Sequence, residues 1–208
     1  MAVVVERVRV VGWGDSTTAG TPGFFSPVEA PPEGKGNEKS QYAYWMMKAH
    51  PDWVVLNRGV NGERTDQILE RFPRDVAAER PAATIVLAGV NDIYQGRPNE
   101  QTKKNLGEMY RLVAGLGSAL VACSVLPYNS MTQAQAKARR ELNEWIRMES
   151  ARTGTAYCDT AEAVAKEGDP EKLAGSPDGI HPDVGGYRRM GDELSMAVVK
   201  ALSARRRG

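Results

Sequence analysis

The sequence predicts an α/β fold, a three-layer α/β/α sandwich on a central five-stranded parallel sheet. Five apolar, β-branched runs recur at Val3 to Val11, Trp53 to Leu56, Thr84 to Ala88, Ala119 to Val125 and Thr155 to Tyr157. Between them lie segments whose apolar residues repeat at helical spacing, and strands alternating with helices form βαβ units whose sheet is covered on both faces. A further observation orients the sheet. Short polar segments follow several of these runs, at the carboxyl ends where open parallel sheets bind ligands.

The elements follow in order. The first run, broken by Glu6, Arg7 and Arg9, leads into Gly12-Trp13-Gly14-Asp15-Ser16-Thr17. From Gly20 to Lys39, four prolines and four glycines appear without periodicity. A loop of that length in a compact domain is functional or mobile. Tyr42, Trp45, Met46 and Ala49 follow the i, i+3, i+4, i+7 pattern of a helix, and His50 behind them reads as structural. Thr65 to Ala78 reads as helix until Pro73, which ends or kinks it after Phe72 and leaves two shorter helices. Leu106, Met109, Tyr110 and Val113 make the next stripe. Ala134, Ala138, Leu142, Trp145 and Ile146 make another, with Ser130 and Gln133 spaced as a capping box. Tyr187, Met190, Leu194, Ala197, Val198 and Ala201 make the last. All these stripes are core faces.

At 208 residues the chain fits a single domain, 1–208, that can bury a core without disulfides or metal, with 20–39 as a long substrate-side loop. Net charge is +1, from 27 basic and 26 acidic residues spread along the chain, so neither nucleic acid nor a membrane is an expected partner. Arg205-Arg206-Arg207 reads as a solvated helix end. Cys123 and Cys158 fall in apolar runs expected to be neighbouring strands, where buried thiols are favoured over a disulfide. Neither has metal-ligand spacing, so no zinc and no other metal is expected. The first residues lack the pattern of a secretory signal, which makes the cytoplasm the default location. Oligomeric state stays open.

Chemistry concentrates in four segments. Gly14-Asp15-Ser16-Thr17, Asn57-Arg58-Gly59 and Gly89-Val90-Asn91-Asp92 follow the first three runs, and Asp178-Gly179-Ile180-His181 opens the last helix. Brought to one edge of a sheet, they supply a serine nucleophile, an imidazole base and a carboxylate to orient it. A glycine and an asparagine add donors for a developing oxyanion. Singly, each segment has an ordinary reading: Ser16 as a helix cap, Gly59 as a turn glycine, Asn91-Asp92 as a cap, His181-Pro182 as loop. Their order, spacing and strand-end placement favour a serine hydrolase.

The set resembles the SGNH hydrolase superfamily, the GDSL-type esterases and lipases, from Gly14 through His181. Its first block appears as Gly14-Asp15-Ser16-Thr17-Thr18-Ala19-Gly20, departing only at Thr17, where leucine is common. The resemblance implies a flavodoxin-like sheet and no cofactor. It implies that Ser16 attacks the acyl carbon, that His181 takes and returns the proton, and that Asp178 holds the imidazole. The implied oxyanion donors are the backbone N–H groups of Ser16 and Gly59 and the side-chain amide of Asn91. A glycine suits position 59 where backbone and substrate approach closely. Asp15 is expected to tie down its loop, and Asp92 to support Asn91.

Other classes fit less well. Gly12-Trp13-Gly14-Asp15-Ser16-Thr17 lacks the third glycine of the dinucleotide fingerprint, and no acidic residue ends a second strand at Leu56. Thr18 stands where the α/β-hydrolase elbow needs glycine. Two histidines and scattered carboxylates make no metal cluster. A non-catalytic acyl- or sugar-binding module is the rival from a different class, and reactivity of Ser16 separates it from an enzyme. The expected substrate is a small-molecule carboxylic ester with a short-chain or aryl acyl group, with Phe24, Phe25, Tyr94 and Tyr128 as candidate pocket walls. A thioesterase, a lysophospholipase and a carbohydrate O-deacetylase are the alternatives on the same fold.

Overall fold

The computed structural model describes residues 7–205; Val3 to Glu6 of the first predicted run and Arg206 and Arg207 of the tail lie outside the described residues. The first strand, β1 (Val8–Gly14), leads directly into a one-turn helix, α1 (Ser16–Ala19). In the long loop, β2 (Phe24–Phe25) pairs antiparallel with β3 (Lys35–Gly36), before α2 (Tyr42–Ala49). Next come β4 (Trp53–Gly59), α3 (Thr65–Glu70) and α4 (Phe72–Asp75). The break expected after Phe72 falls at Arg71 instead. Pro73 sits in the first turn of the second helix, where its missing N–H would have had no helical acceptor.

The chain continues through β5 (Ala83–Leu87), α5 (Val90–Tyr94), α6 (Asn99–Gly115) and β6 (Ala119–Cys123). For α7 (Gln133–Thr153) the capping box is Thr132 with Gln135, not Ser130 with Gln133: Gln135 N donates to Thr132 Oγ1 at 3.2 Å. The chain is still turning at Ser130, where Met131 N donates to Tyr128 O. Ala134 is therefore exposed, and Ala136 packs inward. Then follow β7 (Ala156–Cys158), α8 (Thr160–Val164), the hairpin of β8 (Ala165–Lys166) with β9 (Asp169–Leu173), and α9 (Val184–Arg205).

The five central strands form one parallel sheet in the order β4-β1-β5-β6-β7, the flavodoxin-like arrangement with its switch point between β1 and β5. Successive residues of a strand face opposite ways. Val10, Ile85 and Val121 pack with Met46 of α2 and Tyr187, Met190 and Leu194 of α9. Val11, Trp13, Val86 and Ala122 pack with Ile68 of α3, Leu106 and Met109 of α6 and Leu142 and Ile146 of α7. Cys123 and Cys158 are register partners on β6 and β7, buried and free.

Register also positions the functional edge. Gly14 is level with Gly59 on one side and Leu87 on the other, so the connections to α1, α3 and α5 leave the sheet together. β4 runs three residues further than its apolar run because the buried Asn57 is satisfied inside the protein. Its Nδ2 donates to Ala19 O (3.0 Å) and Gln41 Oε1 (2.8 Å), and its Oδ1 accepts from Gly59 N (3.0 Å). Among the described residues, no helix is long and apolar enough to cross a membrane.

Candidate active site

Asp178-Gly179-Ile180-His181 closes into a turn held by its own aspartate. Asp178 Oδ1 accepts from the backbone N–H of Ile180 (2.9 Å) and of His181 (2.8 Å), while Gly179 takes φ +78°, a conformation costly for residues with a Cβ. This leaves Oδ2 free to meet the ring of its own turn, at 2.7 Å from His181 Nδ1. The carboxylate only accepts, so Nδ1 carries the proton and Nε2 is left as an acceptor. Ser16 Oγ lies 2.8 Å from that Nε2, across 165 residues of chain. Ser176 Oγ donates to His181 O (2.7 Å), bracing the turn from the other side. Burial would raise the Asp178 pKa, but hydrogen bonds from the ring and backbone of His181 and from Ile180 N–H hold it below the usual carboxylate value.

Ser16 is the first residue of α1, at the point where β1 ends. Asp15 caps that helix, its Oδ1 accepting from Thr17 N at 3.0 Å, and thereby ties down the loop as expected. The Asp15 side chain is buried, and desolvation pushes its pKa up from 3.8 to about 7 against the hydrogen bonds from Thr17. Asp92 is buried too and supports its neighbourhood through α3: its carboxylate accepts from Thr65 N (2.9 Å) and Thr65 Oγ1 (2.7 Å). Asn91 itself is fixed by Nδ2 donating to Glu63 O at 2.9 Å. An amide nitrogen has two protons, so a second N–H remains to donate.

Ser16, Asn91 and His181 meet at a cavity of about 230 Å³. Gly59 does not reach it. Its N–H is taken by Asn57 Oδ1, its carbonyl accepts from Ser26 Oγ (2.6 Å), and a Cβ there would lie 2.1 Å from Ala19 N. The close approach that demands glycine at 59 is thus between two pieces of backbone, not between backbone and substrate. The glycine on the cavity wall is Gly62, in the turn beyond the strand, with φ +74° and open space around it. No acceptor claims the Gly62 N–H among the described residues. Sequence reasoning missed Gly62 by ending β4 at Leu56; a strand that continues to Gly59 moves the loop, and its free donor, three residues on.

Val90, Tyr94, Leu126, Tyr128 and Ile180 form the apolar wall of the cavity. Tyr94 is 57% exposed and meets the buried Tyr128 edge-on, ring centroids 5.7 Å apart. Phe24 and Phe25 stand elsewhere. Phe24 is buried in the loop hairpin and faces a separate groove beside β4, and Phe25 is solvent-exposed. The 20–39 loop contacts the cavity lining through Asn61: Asn61 N donates to Glu29 Oε1 (2.9 Å) and Thr21 Oγ1 to Asn61 Oδ1. A larger groove of about 900 Å³ lies at the opposite edge of the sheet, by the starts of β6 and β7. Two of its arginines, Arg111 and Arg152, are already paired with Glu108 and Glu149. Among the described residues, no cluster of His, Cys, Asp and Glu is arranged to hold a metal ion.

A parallel sheet with this strand order, carrying a Ser-His-Asp constellation at its carboxyl edge, defines a serine hydrolase of the α/β/α class. The GDSL-like Lipase/Acylhydrolase family matches residues 13–189, and the chain belongs to it, a family of serine ester hydrolases. Solved structures share the fold. A member of the lipolytic protein G-D-S-L family from Veillonella parvula DSM 2008 is 17% identical, with a TM-score of 0.76 over 93% of this chain and 99% of the other. A GDSL-like lipase from Bacteroides thetaiotaomicron VPI-5482 is 23% identical, with a TM-score of 0.70 over 93% and 88%. An acetyl xylan esterase, AlAXEase, is 17% identical, with a TM-score of 0.73 over 92% and 100%. No curated protein sequence matches the chain.

Proposed function

We propose that the protein hydrolyses small carboxylic esters with short-chain or aryl acyl groups, through an acyl-enzyme on Ser16. The observation that carries this reading is the relay from Asp178 through His181 to Ser16, at 2.7 and 2.8 Å, opening on a cavity of about 230 Å³. His181 Nε2 takes the Ser16 proton as Oγ bonds to the acyl carbon, and returns it to the departing alkoxide. Water then attacks the acyl-enzyme with the same base, freeing the acid and restoring the serine. The oxyanion is met by the N–H groups of Ser16 and Gly62 and by the Asn91 amide.

Size supports the substrate class. A cavity of about 150 Å³ accommodates benzene. The present one therefore suits an acetyl, butyryl or benzoyl group and leaves a long acyl chain in solvent. The acetyl xylan esterase among the structural relatives is in keeping with acetylated carbohydrate as an alternative ester of the same size class. Rates on p-nitrophenyl esters from acetate to laurate, with Ser16→Ala as control, test the proposal. The expected kcat/KM peaks at the short esters and benzoate. A maximum at laurate would overturn the acyl-size reading, and equal rates in the control would overturn the enzyme reading.

A further inference from the structure

Arg71, the residue that separates α3 from α4, does not line the cavity, yet its guanidinium bonds the segments that lead to Ser16 and Gly62 and is linked through Glu63 to the one that carries Asn91. Nη2 donates to Gly14 O (3.1 Å), Nη1 to Arg58 O (3.2 Å) and to the Asp75 carboxylate, and Nε to Glu63 Oε2 (2.7 Å). Gly14 O lies two residues before Ser16. Arg58 O is at the end of β4, leading to Gly62. Glu63 follows Gly62 directly, and its own carbonyl receives the Asn91 amide at 2.9 Å. The side chain is 10% exposed.

We propose that Arg71 is a positioning residue that sets the mutual spacing of the three oxyanion donors, a role that rests on the acyl-transfer reading above. The chemistry suits arginine and no other residue. A planar fork with five donors can hold two backbone carbonyls and two carboxylates in fixed directions, whereas lysine offers a single ammonium on a flexible stem. The competing account is that Arg71 only neutralises Glu63 and the buried Asp75, which Arg74 also pairs. That account predicts lost stability without a selective effect on the chemical step.

The test is steady-state kinetics on p-nitrophenyl acetate for Arg71→Lys and for Glu63→Ala, the latter cutting the link to the Gly62 segment while leaving Arg71 and Arg74 on Asp75. Near-UV circular dichroism reports whether each is folded. Positioning predicts that kcat falls roughly 10- to 100-fold while KM stays within about threefold. It also predicts that Arg71→Lys costs a smaller fold-loss in an Asn91→Ala background than in the parent, because one of the three donors it spaces is already gone. Folded variants with unchanged kcat, or the same fold-loss in both backgrounds, would overturn the inference. Should Arg71→Lys fail to fold, Glu63→Ala alone decides between the same outcomes. If the parent protein forms no acyl- or phosphonyl-Ser16, both the inference and the reading it rests on fall; if it does and the variants are neutral, only the inference falls.

Discussion

The turn that carries His181 and the rim that carries Asn91 are built in opposite ways. Four consecutive residues, Asp178 to His181, fix their own geometry through backbone N–H groups donated to one carboxylate. The rim draws Ser16, Gly62 and Asn91 from the ends of three strands, and only sheet register and side chains such as Asn57, Asp92 and Arg71 keep them level. A local turn survives disturbance elsewhere. A rim assembled from distant segments transmits it, because a displacement of about 1 Å in a reacting geometry costs about 100-fold in rate.

The largest effects belong to the turn. His181→Ala is expected to lower kcat by roughly 10⁶-fold and Asp178→Asn by roughly 10⁴-fold, both with little change in melting temperature. Activity of the parent is expected to fall as pH drops, because the reaction starts with an unprotonated general base, while Asp178, held low by its hydrogen bonds, stays ionised along that limb. Rates that do not fall with pH down to 4 would break the assignment of His181 as base.

Asp15 sharpens the comparison from the rim side. Its pKa is 3.8 in the open chain and about 7 when folded, so between these values the native state binds the extra proton and stability falls as pH rises. Asp15→Asn keeps an acceptor for Thr17 N and removes the ionisation. The variant should match the parent below pH 4 and exceed it by up to about 4 kcal/mol at pH 8, measured by urea unfolding across that range. An unchanged difference at both ends contradicts the buried-carboxylate account.

Asn91→Ala is expected to cost roughly 100- to 1,000-fold in kcat, about 2.7 to 4 kcal/mol of barrier, with KM and folding intact. The two glycines divide most finely. Gly59→Ala puts a Cβ against Ala19 backbone and should lose about 1 to 3 kcal/mol of stability. Gly62→Ala meets no atom, strains a positive φ by about 1 to 2 kcal/mol, and should show its effect mainly in kcat. If Gly59→Ala stayed fully stable and lost kcat instead, the donor would lie at 59 after all.

Legibility follows the same division. The meeting of Asp178, His181 and Ser16 was legible because their sequence blocks resemble those of the family and because a carboxylate three residues before a histidine can reach its ring from the same turn. The sheet was readable from its apolar runs. Gly62 was not, because the end of β4 is set by the burial of a polar residue: Asn57 looks like a turn former in sequence and becomes a strand residue through partners at Ala19 and Gln41. Phe24 and Phe25 were misassigned for a related reason, since the loop folds on its own small hairpin and packs Phe24 under Gly34. The Thr132 cap was missed because two overlapping capping boxes share one spacing.

The most direct test is intact mass and peptide mapping after exposure to a fluorophosphonate, in the parent protein and in His181→Ala. The account predicts a single adduct on Ser16, formed orders of magnitude more slowly in the variant. Folded parent protein without an adduct, or labelling on Ser16 at the same rate in both, would contradict an activated serine at this site.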